Sequence, residues 1–209
     1  DTTSNVLAAL QLGVQPSGTM AHSLVMALDA VAGGEQAAFS AFHRYFPGAP
    51  LLIDTYDPIA AATALAARIA AGELELSGIR LDSGDLITLS KQVKSILPDV
   101  DIFATGDLDE WEIAKLRAAN APINGFGVGT KLVTGTPVNG VYKLVEIDHI
   151  PTMKRSTGKM TYPGKKQIFR HFQAGQFDRD NLGLATEGTG LLNLVMQGGN
   201  RLHPDDDLA

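Results

Sequence analysis

LLIDTYDPIAAATALAARIAAG, Leu51 to Gly72, decides the fold class. Leu51-Leu52-Ile53-Asp54 reads as a buried strand that ends on a polar residue. Asp57 can accept hydrogen bonds from the free backbone N–H groups of a helix start, and Pro58 suits the first helical position. The alanine-rich stretch from Ile59 to Ala71 favours helix, and Gly72 stops it. The same unit then repeats. Gly78-Ile79-Arg80-Leu81-Asp82 is a second strand. Leu86, Leu89, Val93, Ile96 and Leu97 follow at helical spacing, and Pro98 closes that helix. Asp101 to Thr105 is a third strand, Asp109 to Ala119 a helix with acids in its first turn, and Gly125-Phe126-Gly127-Val128 a fourth strand. Strand and helix in series require a parallel sheet with helices on its faces.

Upstream, Ser4-Asn5-Val6-Leu7 reads as one more strand, followed by helices over His22 to Val31 and Gln36 to Phe46. Periodicity does not separate a closed barrel from an open doubly wound sheet. No G-x-G-x-x-G follows the first strand, which removes support for a dinucleotide fold. Polar residues end nearly every strand: Asp54, Asp82, Thr105 with Asp107, and Gly129 with Thr130. Barrel enzymes build their sites there. The expectation is an irregular, partial TIM-like α/β barrel over 1–136. After Thr136-Pro137 the pattern changes to a β-rich, turn-rich segment and tail over 137–209, with Val141 to Ile147 as a strand and an acidic, frayed end from Leu202 to Ala209.

Of the 209 residues, 44% are hydrophobic and 19% charged, ordinary for a soluble domain. The absence of cysteine excludes disulfides, thiolate metal sites and a cysteine nucleophile, and fits a cytoplasmic home. No apolar run is long enough to span a membrane. The chain opens on Asp1, so the natural start is expected upstream. A net charge of -6 argues against general nucleic-acid binding. The charge is uneven: Lys143 to His171 holds seven Lys/Arg against two acids, net +5, leaving -11 elsewhere. Such a segment can meet phosphates, but a solvated hairpin with lysine-rich edges is the plainer reading.

Four segments could carry chemistry. Gly18-Thr19-Met20-Ala21-His22-Ser23 lies where a loop becomes a helix, so free N–H groups favour anions there. His22 could act as base, phosphate ligand or phosphoryl acceptor, although an incidental histidine at a helix start is the plainer reading on these residues alone. In Arg80-Leu81-Asp82-Ser83-Gly84-Asp85, strand alternation points Arg80 and Asp82 to one side. Arg80 can stack on a flat ring or clamp a carboxylate. Asp82 can bind ribose hydroxyls, hold Mg²⁺ or stabilise a cationic transition state. An ion pair and a helix cap would also explain this segment. Thr105-Gly106-Asp107 and Gly125 to Thr130 put glycines on consecutive strand ends, where phosphate can approach the backbone. Asp54 is at most a supporting residue. His43, His149, His171 and His203 show no metal-ligand spacing, Trp111 reads as a packing residue, and no metal ligands are singled out.

Taken in order, GTMAHS (Gly18 to Ser23), LLIDTYD (Leu51 to Asp57), RLDSGD (Arg80 to Asp85), TGDLDE (Thr105 to Glu110), GFGVGTKLVT (Gly125 to Thr134) and GKMTYPGKKQIFR (Gly158 to Arg170) resemble the nicotinate phosphoribosyltransferase family. The resemblance runs from about Thr3 to Leu202. It implies an irregular α/β barrel with a second domain built largely from an N-terminal region. It also implies a reaction joining nicotinate to 5-phosphoribosyl-1-pyrophosphate, giving nicotinate mononucleotide and pyrophosphate. ATP would be a co-substrate coupled through a phosphorylated histidine, with Mg²⁺ assisting, in a homodimer. His22 matches that histidine. Arg80 and Asp82 match residues around the pyridine ring and ribose, and Ser17 and Thr19 are expected to bind substrate. Gly106, Asp107, Gly127, Gly129 and Thr130 match the 5′-phosphate region. Nicotinamide or quinolinate transferases, or a non-catalytic phosphosugar-binding barrel, are the alternatives. Family members are longer, so this chain by itself is expected to expose apolar surface and to lack activity.

Overall fold

The computed structural model describes residues 2–134, 138, 140, 142–155 and 160–202. The chain divides into two compact units, one up to Tyr162 and one from Pro163. Thr136 and Pro137, where the sequence pattern changes, lie outside the described residues, as do His203 and the rest of the acidic tail. The first unit continues past that point to Tyr162 and includes the buried Thr152 and Lys154.

The first unit is a mixed α/β structure around four parallel strands. Helices α1 (Val6–Leu12), α2 (His22–Ala32) and α3 (Glu35–Tyr45) precede the sheet. Then come β1 (Leu51–Leu52), α4 (Pro58–Ala70), β2 (Gly78–Leu81), α5 (Leu86–Ile96), β3 (Asp101–Ala104), α6 (Glu110–Ala118), β4 (Gly125–Phe126) and the short α7 (Thr130–Val133). The sheet order is β1-β2-β3-β4, with each neighbouring pair parallel. The pairing extends past the strand ends: Ile53 N donates to Arg80 O, Thr105 N to Leu81 O and Gly127 N to Ala104 O. These three bonds carry the backbone in order into the polar turns. Among the described residues the four strands form an open parallel sheet, and the partial, irregular barrel expected from the sequence is seen in them only as this sheet. Strands this short, in this number, cannot close on themselves.

Local chemistry sets the helix starts. Asp57 accepts from Ile59 N and Ala60 N at 2.9 and 3.0 Å, with Pro58 in the first turn. Asp85 caps α5 through Ile87 N and Thr88 N, and Asp109 caps α6 through Glu112 N. The core lies between sheet and helices and contains Met20, Val25, Phe39, Leu51, Leu52, Ile53, Leu65, Ile79, Leu81, Val93 and Ile102. Burying each large apolar side chain stabilises the fold by roughly 1.5–3 kcal/mol before conformational entropy is counted.

Two expectations fail here. Ser4 to Leu7 is not a strand: Asn5 accepts from Ala8 N at 2.9 Å, Gly13 adopts the left-handed C-cap, and the residues between form α1. A short apolar run does not distinguish strand from helix, and the caps decide it. Trp111 is not a packing residue, because its side chain is 75% exposed on α6.

Beyond α7, β5 (Glu146–Ile147) and β6 (Ile150–Pro151) make a small antiparallel hairpin. Only the end of the expected strand from Val141 to Ile147 is extended in this way, and Val141 itself lies outside the described residues. In the second unit, β7 (Lys166–Gln173) pairs antiparallel with β8 (Gln176–Leu184), and β9 (Met196–Gln197) pairs with β10 (Asn200–Arg201). Arg170 holds Asp180 across the β7–β8 pair through two bonds of 2.9 and 2.8 Å. Among the described residues, no helix is long and apolar enough to cross a membrane.

Candidate active site

The site is built at the C-terminal ends of β1, β2 and β3. Asp54 follows β1 and is 3% exposed. Its Oδ2 accepts from Asp82 N at 2.8 Å and from Ser83 Oγ at 2.9 Å, so one buried carboxylate fixes the turn after β2. Asp54 therefore supports its neighbours. Its Oδ1 is buried without a hydrogen-bond partner and lies 3.8 Å from His22 Nε2.

Arg80 on β2 and Asp82 just after it lie on one side, as strand alternation requires. Arg80 Nη1 is 3.7 Å from Asp82 Oδ1, and Arg80 Nη2 donates to Met20 O at 2.9 Å. The second bond ties β2 to the Gly18–Ser23 segment. Thr105, at the end of β3, donates its hydroxyl to Asp82 Oδ1. Burial pushes the Asp82 carboxyl up, but hydrogen bonding with His22 and Thr105 and the charge of Arg80 outweigh burial and hold it at about 2. The hydroxyl of Thr105 and the Arg80 charge act in that direction wherever the His22 proton sits.

His22 opens α2 and is half-buried. Its Nδ1 stands 3.0 Å from Thr55 Oγ1, and its Nε2 is 3.5 Å from Asp82 Oδ2. A further member of the group comes from an unexpected segment. Lys154, 2% exposed, places Nζ 3.2 Å from His22 Nε2. The sequence reading assigned Lys154 to a solvated basic stretch. Its burial follows from a contact spanning 132 residues, for which local periodicity carries no signal.

The glycine turns stack against this group. An ideal Cβ on Gly127 would meet Thr105 Cγ2 at 2.6 Å, so the turn after β4 lies directly against the turn after β3. Asp107, in the left-handed region at φ 53, is exposed, as are Gly129 and Thr130 at the start of α7. These three make no hydrogen bond to the His22–Asp82 group among the described residues. Lys131 beside them pairs with Asp109 at 2.8 Å, bridging α7 and the cap of α6. Ser17 is exposed, and its N donates to Thr3 O. Thr19 gives its hydroxyl proton to Pro50 O. His22, Arg80, Asp82 and the Thr105–Gly106 turn thus converge, while Ser17, Asp107, Gly129 and Thr130 stand outside that cluster.

The carboxylates do not form a metal cage. Among the described residues no three His, Cys, Asp or Glu side chains are placed to hold a metal ion. The arrangement offers an ionised carboxylate, an arginine fork, a lysine and an imidazole on one surface. Such a set suits an anionic, phosphorylated ligand next to a centre that gains positive charge.

A family model described as the nicotinate phosphoribosyltransferase (NAPRTase) family matches residues 2–161. Nicotinate phosphoribosyltransferase pncB2 of Mycobacterium tuberculosis is 44% identical over 96% of this chain and 45% of its own length. The Bacillus subtilis nicotinate phosphoribosyltransferase is 38% identical over 80% of this chain and 37% of its own length. A crystal structure of nicotinate phosphoribosyltransferase from Porphyromonas gingivalis superposes with a TM-score of 0.58 at 22% identity, covering 77% of this chain and 47% of that one. The chain spans less than half the length of the curated relatives it matches. A family match over residues 2–161, which hold every group of the site just described, places this chain in the nicotinate phosphoribosyltransferase family.

Proposed function

We propose that the protein joins nicotinate to 5-phosphoribosyl-1-pyrophosphate, forming nicotinate mononucleotide and releasing pyrophosphate. The observation that carries this reading is the meeting of His22, Arg80, Asp82 and the Thr105–Gly106 turn at the ends of parallel strands. In the reaction the bond from the anomeric carbon to pyrophosphate breaks, and the pyridine nitrogen bonds to that carbon. Positive charge builds on the ribose as the leaving group departs. Asp82, ionised throughout the physiological range, would stabilise that charge. Arg80 would orient the pyridine ring or its carboxylate, with Ser17 and Thr19 on the substrate side. Gly106, Asp107, Gly127, Gly129 and Thr130 would receive the 5′-phosphate.

ATP is the proposed co-substrate, its hydrolysis coupled through phosphorylation of His22. The added charge would bias neighbouring loops toward closure. Mg²⁺ would arrive with the phosphates of the substrates, its usual mode of binding. The open sheet is read as part of an irregular α/β barrel formed by the first 136 residues with further strands, next to a β-rich segment over 137–209. The working assembly is a homodimer in the cytoplasm.

The test is pyrophosphate release by the full-length protein with nicotinate, with and without ATP, set against nicotinamide and quinolinate. Quinolinate use would also release CO₂. Release with nicotinate that ATP stimulates is the expected result, and binding of the phosphorylated sugar without release would overturn the reading. His22→Ala should keep some transferase activity and lose the stimulation by ATP. Equal stimulation in variant and wild type would remove His22 from the coupling.

A further inference from the structure

α2 carries His22 on its first turn but has no local cap. Its N-cap residue, Ala21, makes no side-chain bond to the helix, whereas Asn5, Asp57, Asp85 and Asp109 cap α1, α4, α5 and α6 in that way. A helix start without such a bond forgoes about 1 kcal/mol. Arg80 and Thr19 tie the loop before α2, at Met20 O and Pro50 O. The helix itself is held from the turn between β1 and α4. Thr55 Oγ1 meets His22 Nδ1 at 3.0 Å, and the next residue, Tyr56, donates its hydroxyl to Asp29 Oδ2 at 2.8 Å. Asp29 follows His22 by seven residues, about two helical turns, so the two side chains lie on nearly one face of α2. Adjacent residues of one turn thus bond the helix at two points along its length.

The two bonds differ in kind. Thr55 touches the ring, as do Asp82, Asp54 and Lys154, so each of these contacts depends on the charge and protonation of the ring. The bond from Tyr56 to Asp29 does not. Burial first, then the bond to Asp29, holds the Tyr56 hydroxyl above the usual phenol range, so it keeps its proton and stays a donor. The main chain around Tyr56 is fixed on both sides: Ile53 N donates to Arg80 O, and Asp57 accepts from Ile59 N and Ala60 N. Val25 and Met26 bury one face of α2, but apolar packing is non-directional, whereas a hydrogen bond is sensitive to angle. We propose that Tyr56 is a positioning residue: by donating to Asp29 it sets the rotation of α2 and so keeps His22 against Thr55 and Asp82 while the ring changes charge. Its bearing on turnover rests on the proposed function; its hold on the ring does not.

Two readouts on the full-length protein test this. The first is the ring signals of His22 in nitrogen–proton correlation spectra of protein labelled at histidine nitrogen, assigned from a His22→Gln sample. Tyr56→Phe, which removes only the hydroxyl, and Asp29→Ala should shift those signals, whereas Asp29→Asn, which keeps an acceptor oxygen, should stay close to wild type. The second is steady-state pyrophosphate release with nicotinate and ATP. Tyr56→Phe should lower kcat by about 10- to 100-fold with KM for nicotinate unchanged, because a small misplacement of a reacting group costs that much. The double variant Tyr56→Phe/Asp29→Ala should be no worse than the poorer single one, since both remove the same bond. A folded Tyr56→Phe with a lower Tm but wild-type ring signals and kcat would make the bond merely structural and overturn the proposal. If Tyr56→Phe does not fold, Asp29→Ala set against Asp29→Asn decides by the same signals. Shifted ring signals in a protein that releases no pyrophosphate with nicotinate would sink the proposed function and leave the hold of Tyr56 on His22 standing.

Discussion

The main-chain oxygen of Asp82 occupies the space a side chain on Gly106 would need: an ideal Cβ there would stand 2.0 Å from it. Gly106 also sits at φ +95, in the left-handed half of the map. The turns after β2 and β3 thus pack directly against one another at the backbone.

Gly106→Ala should separate these turns. The strained φ alone costs about 1–3 kcal/mol, and the clash with a backbone atom adds to it. For a domain of this size each kcal/mol lowers Tm by roughly 2–4 °C. Thermal melts should show that loss, and steady-state kinetics should show a higher KM for the phosphorylated sugar. An unchanged Tm together with an unchanged KM would mean that the contact plays no part.

Asp54→Ala should leave Asp82 N and Ser83 Oγ without their acceptor. Two hydrogen bonds to a buried carboxylate make this a loss of about 3 kcal/mol or more. Asp54→Asn keeps one acceptor oxygen and should cost less. Urea unfolding of the two variants tests the order, and equal stabilities would show that the negative charge on Asp54, not its acceptor geometry, is what matters.

Glu35 should make the fold less stable as pH rises. Burial first, then the charges of Asp29, Asp54 and Asp57, raise its carboxyl from 4.5 to about 7. In the folded chain it keeps its proton while the unfolded chain has lost it, so the native state binds more protons between those values. Stability therefore falls across pH 4.5 to 7. Glu35→Gln should flatten Tm over that window, and a variant with the same slope as wild type would contradict the assignment.

Asp82 has the opposite sign. Its folded value of about 2 lies below the ordinary 3.8, so its contribution is complete above 3.8 and is lost as pH falls toward 2. Asp82→Asn should soften the loss of stability on that acid limb and abolish transferase activity near neutral pH. Retained activity would exclude Asp82 from stabilising the ribose.

Expressed by itself, this 209-residue chain should bind an apolar dye. Val6, Leu7, Leu10 and Leu12 on α1 are each more than 60% exposed, and Trp111, Leu132 and Val133 are exposed as well. Exposed apolar side chains in this number favour association. A sharp monomeric melt without dye binding would rule this out.

By itself the sequence determined what depends on a few neighbouring residues. Asp57, Asp85 and Asp109 mark helix starts because a cap bonds only two or three positions ahead. The alternation of short apolar runs with helical periods yields four parallel strands with polar ends, and Arg80 and Asp82 share a side because strand geometry has a period of two. Tertiary structure alone decided the rest. It exposed Trp111, left the described sheet open, and brought Lys154 to His22 across 132 residues. Such contacts are set by how distant segments pack, and a lysine in a basic stretch looks the same in sequence whether it is solvated or buried against a histidine.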